Sequence, residues 1–203
     1  MSGAARADRQ PSLVRRAMIV NTALSLIAEQ GLAATTARQI ANAAGVSLGT
    51  ITYHFASIDD ILVQVLQAQT EQFERRRSTR LAGCSDPRER LRRFLTAYLD
   101  PDVHPPAMWH VWLDCWSRAA HSPTLRDWQL ARYREVSDRI AAMLADVAAP
   151  ALVPAIDAKT SAREFLALVD GLGEQVAIDT ELGADAALAI LDSAVDRHLR
   201  AFP

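Results

Sequence analysis

The stretch that most restricts what this chain can fold into is Thr35-Thr36-Ala37-Arg38-Gln39-Ile40-Ala41-Asn42-Ala43-Ala44-Gly45-Val46-Ser47-Leu48-Gly49-Thr50-Ile51-Thr52-Tyr53-His54-Phe55. It reads as two short helices around a tight turn. Thr35 or Thr36 can cap the first helix by accepting a backbone N–H bond, and Ile40 and Ala44, four apart, share its inward face. Ala41 is small where a crossing helix comes close. Gly45 can take the positive φ that turns the chain sharply, Val46 anchors the turn, and Ser47 can cap the next helix. In that second helix Ile51 and Phe55 form the inward pair, leaving Leu48, Gly49, Thr50, Thr52, Tyr53 and His54 on other faces.

The rest of the chain carries the helical period as well. Over 13–30, Ala17, Val20, Ala23, Leu24 and Ile27 recur at spacings of three and four and stop at Gly31, a ready C-cap. Ile61, Leu62, Val65 and Leu66 open a long connecting helix that runs through Phe73 into the charged run 74–80 and stops near Gly83. The segments 87–99, 107–120, 124–147, 161–179 and 184–201 are each long enough for several turns, and no hairpin signal interrupts them. The pattern predicts an all-α fold of about nine helices. A three-helix head occupies residues 1–57 and a helical body residues 58–203.

Half of the 203 residues are hydrophobic and 23% are charged, ordinary values for a folded soluble protein. No apolar run reaches the roughly 18 residues of a membrane span, and residues 1–10 lack the apolar core of a secretory signal, so a cytoplasmic location is expected. Cys84 and Cys115 have neither zinc-ligand spacing nor a secreted-disulfide pattern and read as reduced structural thiols. No Gly-rich phosphate loop, His-x-x-x-His or Cys-x-x-Cys spacing, or nucleophile elbow is present, so no enzymatic activity, metal or cofactor is expected.

The net charge of −2 hides an uneven distribution. Residues 1–57 carry Arg6, Arg9, Arg15, Arg16 and Arg38 against Asp8 and Glu29, whereas the remainder is net acidic. A basic head on an acidic body suits a DNA reader joined to a domain with another task. In the second short helix Gly49 allows close backbone approach, and Thr50 and Thr52 can bond phosphates or bases. Tyr53 and His54 can reach phosphate oxygens, and Leu48 can touch a thymine methyl. Ser47, Arg15, Thr36 and Arg38 complete the candidate DNA-binding set. An Ala-Gly-Val turn also occurs in helical interaction proteins without sequence-specific DNA binding. The polar second helix, the basic first helix and the offsets of Ala41, Gly45, Val46 and Ile51 together favour DNA.

At these residues the chain resembles the TetR family of regulators, over Ile19 to Leu66 and including Tyr53-His54-Phe55-Ala56-Ser57-Ile58-Asp59-Asp60-Ile61-Leu62. The resemblance implies an all-helical homodimer on a palindromic operator in double-stranded DNA, with repression released when ligand changes the spacing of the heads. Family members usually carry a basic residue where this chain has Ile58, which removes one expected phosphate contact. Arg15, Arg16 or Arg38 can compensate.

Three of the four tryptophans, Trp109, Trp112 and Trp116, fall at i, i+3 and i+7, and Trp128 follows. Such a stripe fits either a plain core or a ligand pocket. The segment from Trp112 to Pro123 is similar to the BetI-type branch of the same family, which implies a choline-like effector. Aromatic faces with Asp114, Asp170 or Glu174 nearby can hold a quaternary ammonium or polyamine cation. The same carboxylates can equally be solvated or paired with Arg118 or Arg163. Apolar faces on the last two helices suit a four-helix dimer interface. Leu168, Leu172, Ala187, Ile190, Leu191, Ala194, Val195 and His198 are the candidates, with Gly171, Gly173 and Ala177 as small neighbours. A monomeric core would show similar stripes.

Overall fold

The computed structural model describes residues 3–148, 158–179 and 181–200. Among them every regular element is a helix, as the periodicity predicts: α1 (Gly3–Gln30), α2 (Ala37–Ala43), α3 (Leu48–His54), α4 (Ile58–Leu81), α5 (Pro87–Thr96), α6 (Ala107–Ala119), α7 (Pro123–Ala148), α8 (Ala158–Ile178) and α9 (Ala184–Leu199). α1 begins ten residues earlier than the apolar pattern indicates. The predicted end of the last helix at Ala201 lies outside the described residues. The chain divides into two compact units, one of residues 1–70 with 111–128 and one of residues 71–110 with 129–203. This packing division lies elsewhere than the expected division by role at residues 57 and 58, because the first part of α4, most of α6 and the start of α7 belong to the unit that holds the head.

In the first unit α1, α2, α3 and the start of α4 enclose a core of Ile19, Val20, Ala23, Ile40, Ala41, Ile51, Phe55, Ile61 and Val65. Each fully buried Ile or Leu contributes about 1.5–3 kcal/mol, so short helices that would fray alone are held by this cluster. Thr36 is the N-cap of α2 in a reciprocal capping box with Gln39, and Ser47 caps α3 by accepting from Thr50 N–H at 3.0 Å. Thr35 is not the cap. Its hydroxyl donates to the Gly31 carbonyl at 2.9 Å. Gly45 has φ +65°, the left-handed geometry that the turn demands. Ile58 packs partly buried against the same core, so its side chain serves the fold here.

The second unit is organised around a charge. Arg77 of α4 is 0% exposed, although it stands within the charged run 74–80 near the end of the helix. Its guanidinium lies 3.8 Å from the Phe94 ring centroid and near those of Phe73 and Tyr98, and it donates to Tyr98 Oη at 2.9 Å and to Glu74 at 2.5 Å. Glu74 also accepts from Arg132 at 2.6 Å and Arg139 at 3.0 Å. Burial alone would raise the Glu74 carboxyl, but Arg77 and then the bonds from Arg132 and Arg139 outweigh it and hold the pKa below its ordinary value. On α5, Arg92 pairs with Asp192 and Asp196 of α9.

The α8–α9 packing corrects part of the expected dimer surface. Leu172, Ala187, Leu191 and Val195 are buried within the single chain, where spacings of four along α9 turn one face onto the protein's own core. His198 lies edge-on to Phe165 of α8, with its pKa lowered by burial. Leu168 and Ala194 remain half-buried, and Ile190 is 44% exposed. Gly173 also works inside the chain. A Cβ at this position would stand 2.3 Å from the Trp109 ring, so only glycine lets the indole lie on the α8 backbone. Gly173→Ala is therefore expected to destabilise by about 1–3 kcal/mol through overpacking, reversing the gain of about 1 kcal/mol that alanine normally brings to a helix. Thermal unfolding of the variant checks this, and a raised midpoint would contradict the packing described.

Candidate nucleic-acid interface and effector site

Turning Ile51 and Phe55 inward pushes the rest of α3 outward. Tyr53 is 82% exposed, and Leu48, Gly49 and Thr52 are also exposed. A surface groove of about 400 Å³ is bounded by Ser12 and Arg15 of α1 and by Ser47, Gly49, Thr50, Tyr53 and His54. Six of the predicted DNA-binding positions thus line one groove of the head, with Leu48 and Thr52 on the same short helix; Thr36 and Arg38 lie exposed at the start of α2. The Ser47 and Thr50 hydroxyls are 2.9 Å apart, and Thr52 Oγ1 donates to the Gly49 carbonyl at 3.2 Å, which leaves its lone pairs for an outside donor. Arg16 serves the fold. It donates to the His54 carbonyl at 3.1 Å and stands 4.6 Å from the Phe55 ring centroid, tying α1 to the end of α3. An exposed helix bearing hydroxyl and aromatic donors beside an arginine can read a major groove while the flanking groups contact phosphates.

The tryptophans divide. Trp112 and Trp128 stack with centroids 6.0 Å apart, and Trp116 lies 6.3 Å from Trp112, all three half-buried in the first unit. Trp109 belongs to the second unit, 4% exposed and 4.8 Å from the His104 ring. Its place is fixed by the gap over Gly173, which helical spacing along α6 cannot reveal. Burial, with Arg76 adding to it, lowers the pKa of His104 to about 4. Cys115 is buried as well, and burial raises its thiol to about 12.

The predicted carboxylates do not gather on the rings. Asp114 turns to the other side of α6 and accepts the Leu32 N–H at 2.7 Å, in the turn between α1 and α2. Arg118 pairs with Asp59 at the start of α4, and Ser122 donates to the other oxygen of Asp59 at 2.7 Å. Glu174 is exposed on α8. Asp170 pairs with neither Arg118 nor Arg163. It accepts from Tyr133 Oη at 2.7 Å, a partner the sequence offered no way to single out.

Burial raises the Asp170 carboxyl from 3.8 to about 6, with the Tyr133 bond opposing it. Between these values the folded chain holds a proton that the unfolded chain has released, so the group favours folding at low pH and loses that contribution as pH rises through roughly 4 to 6. Asp170→Asn keeps an acceptor for Tyr133. It is expected to add about 1–3 kcal/mol at pH 7.5, about half as much at pH 5 and little below about pH 3.5, measured by denaturant unfolding. A variant less stable than the parent at pH 7.5 would rule this out.

Among the described residues no cluster of His, Cys, Asp and Glu suits a metal ion, and no helix is long and apolar enough to cross a membrane. Comparison with known proteins places the chain among regulators. Residues 19–65 match the model for bacterial regulatory proteins of the tetR family, and residues 87–200 match that for the C-terminal region of BetI-type transcriptional repressors. The HTH-type transcriptional regulator BetI of Burkholderia mallei is 31% identical over 92% of this chain and 94% of its own length. A transcriptional regulator from Saccharomonospora viridis, solved in complex with choline, is 30% identical over 89% of this chain and 95% of its own, with a TM-score of 0.78. A Rhodococcus transcriptional regulator at 24% identity shares the fold, with a TM-score of 0.79 over 92% of this chain and 96% of its own. These relatives carry the names of regulators rather than enzymes.

Proposed function

Because the chain belongs to the TetR family of ligand-responsive DNA-binding regulators, in its BetI-type branch, we propose that it is a cytoplasmic repressor that binds a palindromic operator as a homodimer and releases it when a choline-like cation binds. The observation that carries the effector reading is the group of Trp112, Trp116 and Trp128. Indole faces attract a quaternary ammonium through the ring quadrupole without a strong hydrogen-bond partner, which suits a site from which Asp114 is turned away. The choline-bound relative at 30% identity supports the same class of ligand.

The first unit also provides a route from effector to DNA. α6 carries Trp112 and Trp116 and, on its other side, Asp114, bound to the turn that precedes α2. Arg118 and Ser122 hold Asp59, at the start of α4 just beyond the end of α3. A cation that shifts α6 by a fraction of an ångström pulls on both ends of the helix-turn-helix. Pairing of protomers uses the faces of α8 and α9 that a single chain leaves open, through Leu168, Ile178, Ile190 and Ala194. Ile178 is 66% exposed, an unusual state for an isoleucine on a helix of this apolarity.

Titration with choline is expected to change tryptophan emission and to raise the unfolding midpoint, by about 2.7 kcal/mol in stability at 100 times the dissociation constant. Trp128→Leu should weaken both responses. If choline leaves emission and midpoint unchanged in the parent protein, the cation reading fails, whereas the DNA-binding reading stands or falls separately.

A further inference from the structure

The outward face of α3 lacks the side chains that most often grip base edges. Among its residues there is no arginine, lysine, asparagine or glutamine, the types that pair with guanine or adenine through two parallel bonds. Arg16 is committed to the His54 carbonyl and the Phe55 ring. Arg15 and Arg38 belong to α1 and α2, which flank the reading helix and suit phosphate contacts. We propose that α3 reads an A·T pair in each half-site with two neutral side chains, Thr52 accepting from the adenine amino group and Leu48 covering the thymine methyl. The inference rests on the binding of an operator by α3 and names the bases that this helix selects.

Leu48 and Thr52 are four residues apart, so they share one face of α3, with Cβ atoms about 5–6 Å from each other. Both are exposed, Leu48 at 41%. The hydroxyl proton of Thr52 is spent on the Gly49 carbonyl at 3.2 Å, so toward a base this group can only accept. In the major groove the adenine N6 and cytosine N4 amino groups donate, whereas guanine and thymine offer only acceptors there. An accepting hydroxyl therefore takes adenine or cytosine and turns away the other two bases.

Leu48 decides between the pairs that remain. Its branched apolar end gains by covering a methyl group and loses by stripping water from a polar edge. Only the A·T pair presents an amino donor together with a methyl in the major groove. The other groups of the helix do not supply a guanine-binding fork. Ser47 Oγ already accepts the Thr50 N–H at 3.0 Å and lies 2.9 Å from Thr50 Oγ1, so one of the two hydroxyl protons is spent between them. His54 stands in the last turn with its ring edge-on to those of Tyr53 and Phe55.

Selection from a randomised duplex pool by the full chain supplies the DNA for the test. The selected duplex is made twice, once with thymine and once with deoxyuridine, which removes the methyl and keeps the pairing edge. The parent should bind the uracil duplex about fifteenfold more weakly, from about fourfold per methyl in each of two half-sites. Leu48→Ala should bind the thymine duplex less tightly than the parent and lose most of this discrimination. Thr52→Val keeps the shape without the hydroxyl. A repeated selection with it should lose the adenine preference at one position of the half-site and keep the other positions. Both side chains are exposed and the uracil comparison uses the parent chain, so neither arm depends on a destabilised fold. The proposal is overturned if the parent binds the two duplexes alike, if Leu48→Ala keeps the full discrimination, or if Thr52→Val selects the parent's sequence unchanged. Enrichment of no sequence by the parent would instead overturn operator binding by α3, and this inference with it.

Discussion

Gly49→Glu is expected to abolish specific DNA binding while leaving the fold intact. The backbone of Gly49 is helical, and a Cβ added there would meet only Ser47 Oγ, at an ordinary 3.6 Å. Glutamate is also the better helix former, so the head should be at least as stable as before. What changes is the outward face of α3, where a carboxylate would stand among Thr50, Tyr53 and Arg15, the groups that line the groove. Removing or reversing one base-reading interaction on a recognition helix costs about 1–3 kcal/mol per head, which for the two heads of the proposed dimer becomes about 2–6 kcal/mol, a drop in affinity of roughly 30-fold or more. Fluorescence anisotropy with labelled operator DNA, paired with a thermal melt, separates binding from folding. Operator affinity equal to that of the parent would remove α3 from the interface.

Arg77→Ala should be among the most damaging single changes in the second unit, costing about 3–5 kcal/mol. It empties the space between Phe73 and Phe94 and leaves the buried Tyr98 hydroxyl without its donor. Glu74 keeps Arg132 and Arg139, so the carboxylate is not orphaned and the loss is chiefly one of packing. For that reason Arg77→Met, which fills much of the space without a charge to desolvate, should lose clearly less than Arg77→Ala. Urea unfolding of the two variants checks the order. A loss below about 1 kcal/mol for alanine would mean that the cluster does not organise this unit, since whole domains have only about 5–15 kcal/mol to lose.

The head was legible because its signals are local. A cap at Thr36, a positive φ at Gly45, a cap at Ser47 and the inward pair Ile51 and Phe55 each act within a few residues, and all agree on the same motif. The body was legible as helices, while the packing between them was not. Periodicity gives Leu191 and Val195 an apolar face without saying whether the covering surface is the chain's own α8 or a second copy, and here it is the chain's own. Trp109 shares helical spacing with Trp112 and Trp116, yet its position depends on a glycine 64 residues away. Arg77 sits in a run of charges in which nothing local marks it for burial, because three aromatic rings and Glu74 enclose it only once the second unit has folded. Asp114, chosen as a counter-charge for a cation, holds the Leu32 N–H instead. In each case what could not be read was the identity of a distant partner, whereas the residue type had already pointed to burial or to polarity.

The central claim joins sequence-specific DNA binding to release by a small cation, and one titration addresses both. Purified protein is mixed with labelled DNA from immediately upstream of its own coding sequence, with unrelated DNA of equal length as competitor, and choline is then added. A specific complex containing two protomers, retained over the competitor and dissociated by choline but not by equal ionic strength of sodium chloride, is the expected result. Equal affinity for both DNAs would contradict the claim at its base, and a specific complex indifferent to choline would contradict the effector assigned to the tryptophans.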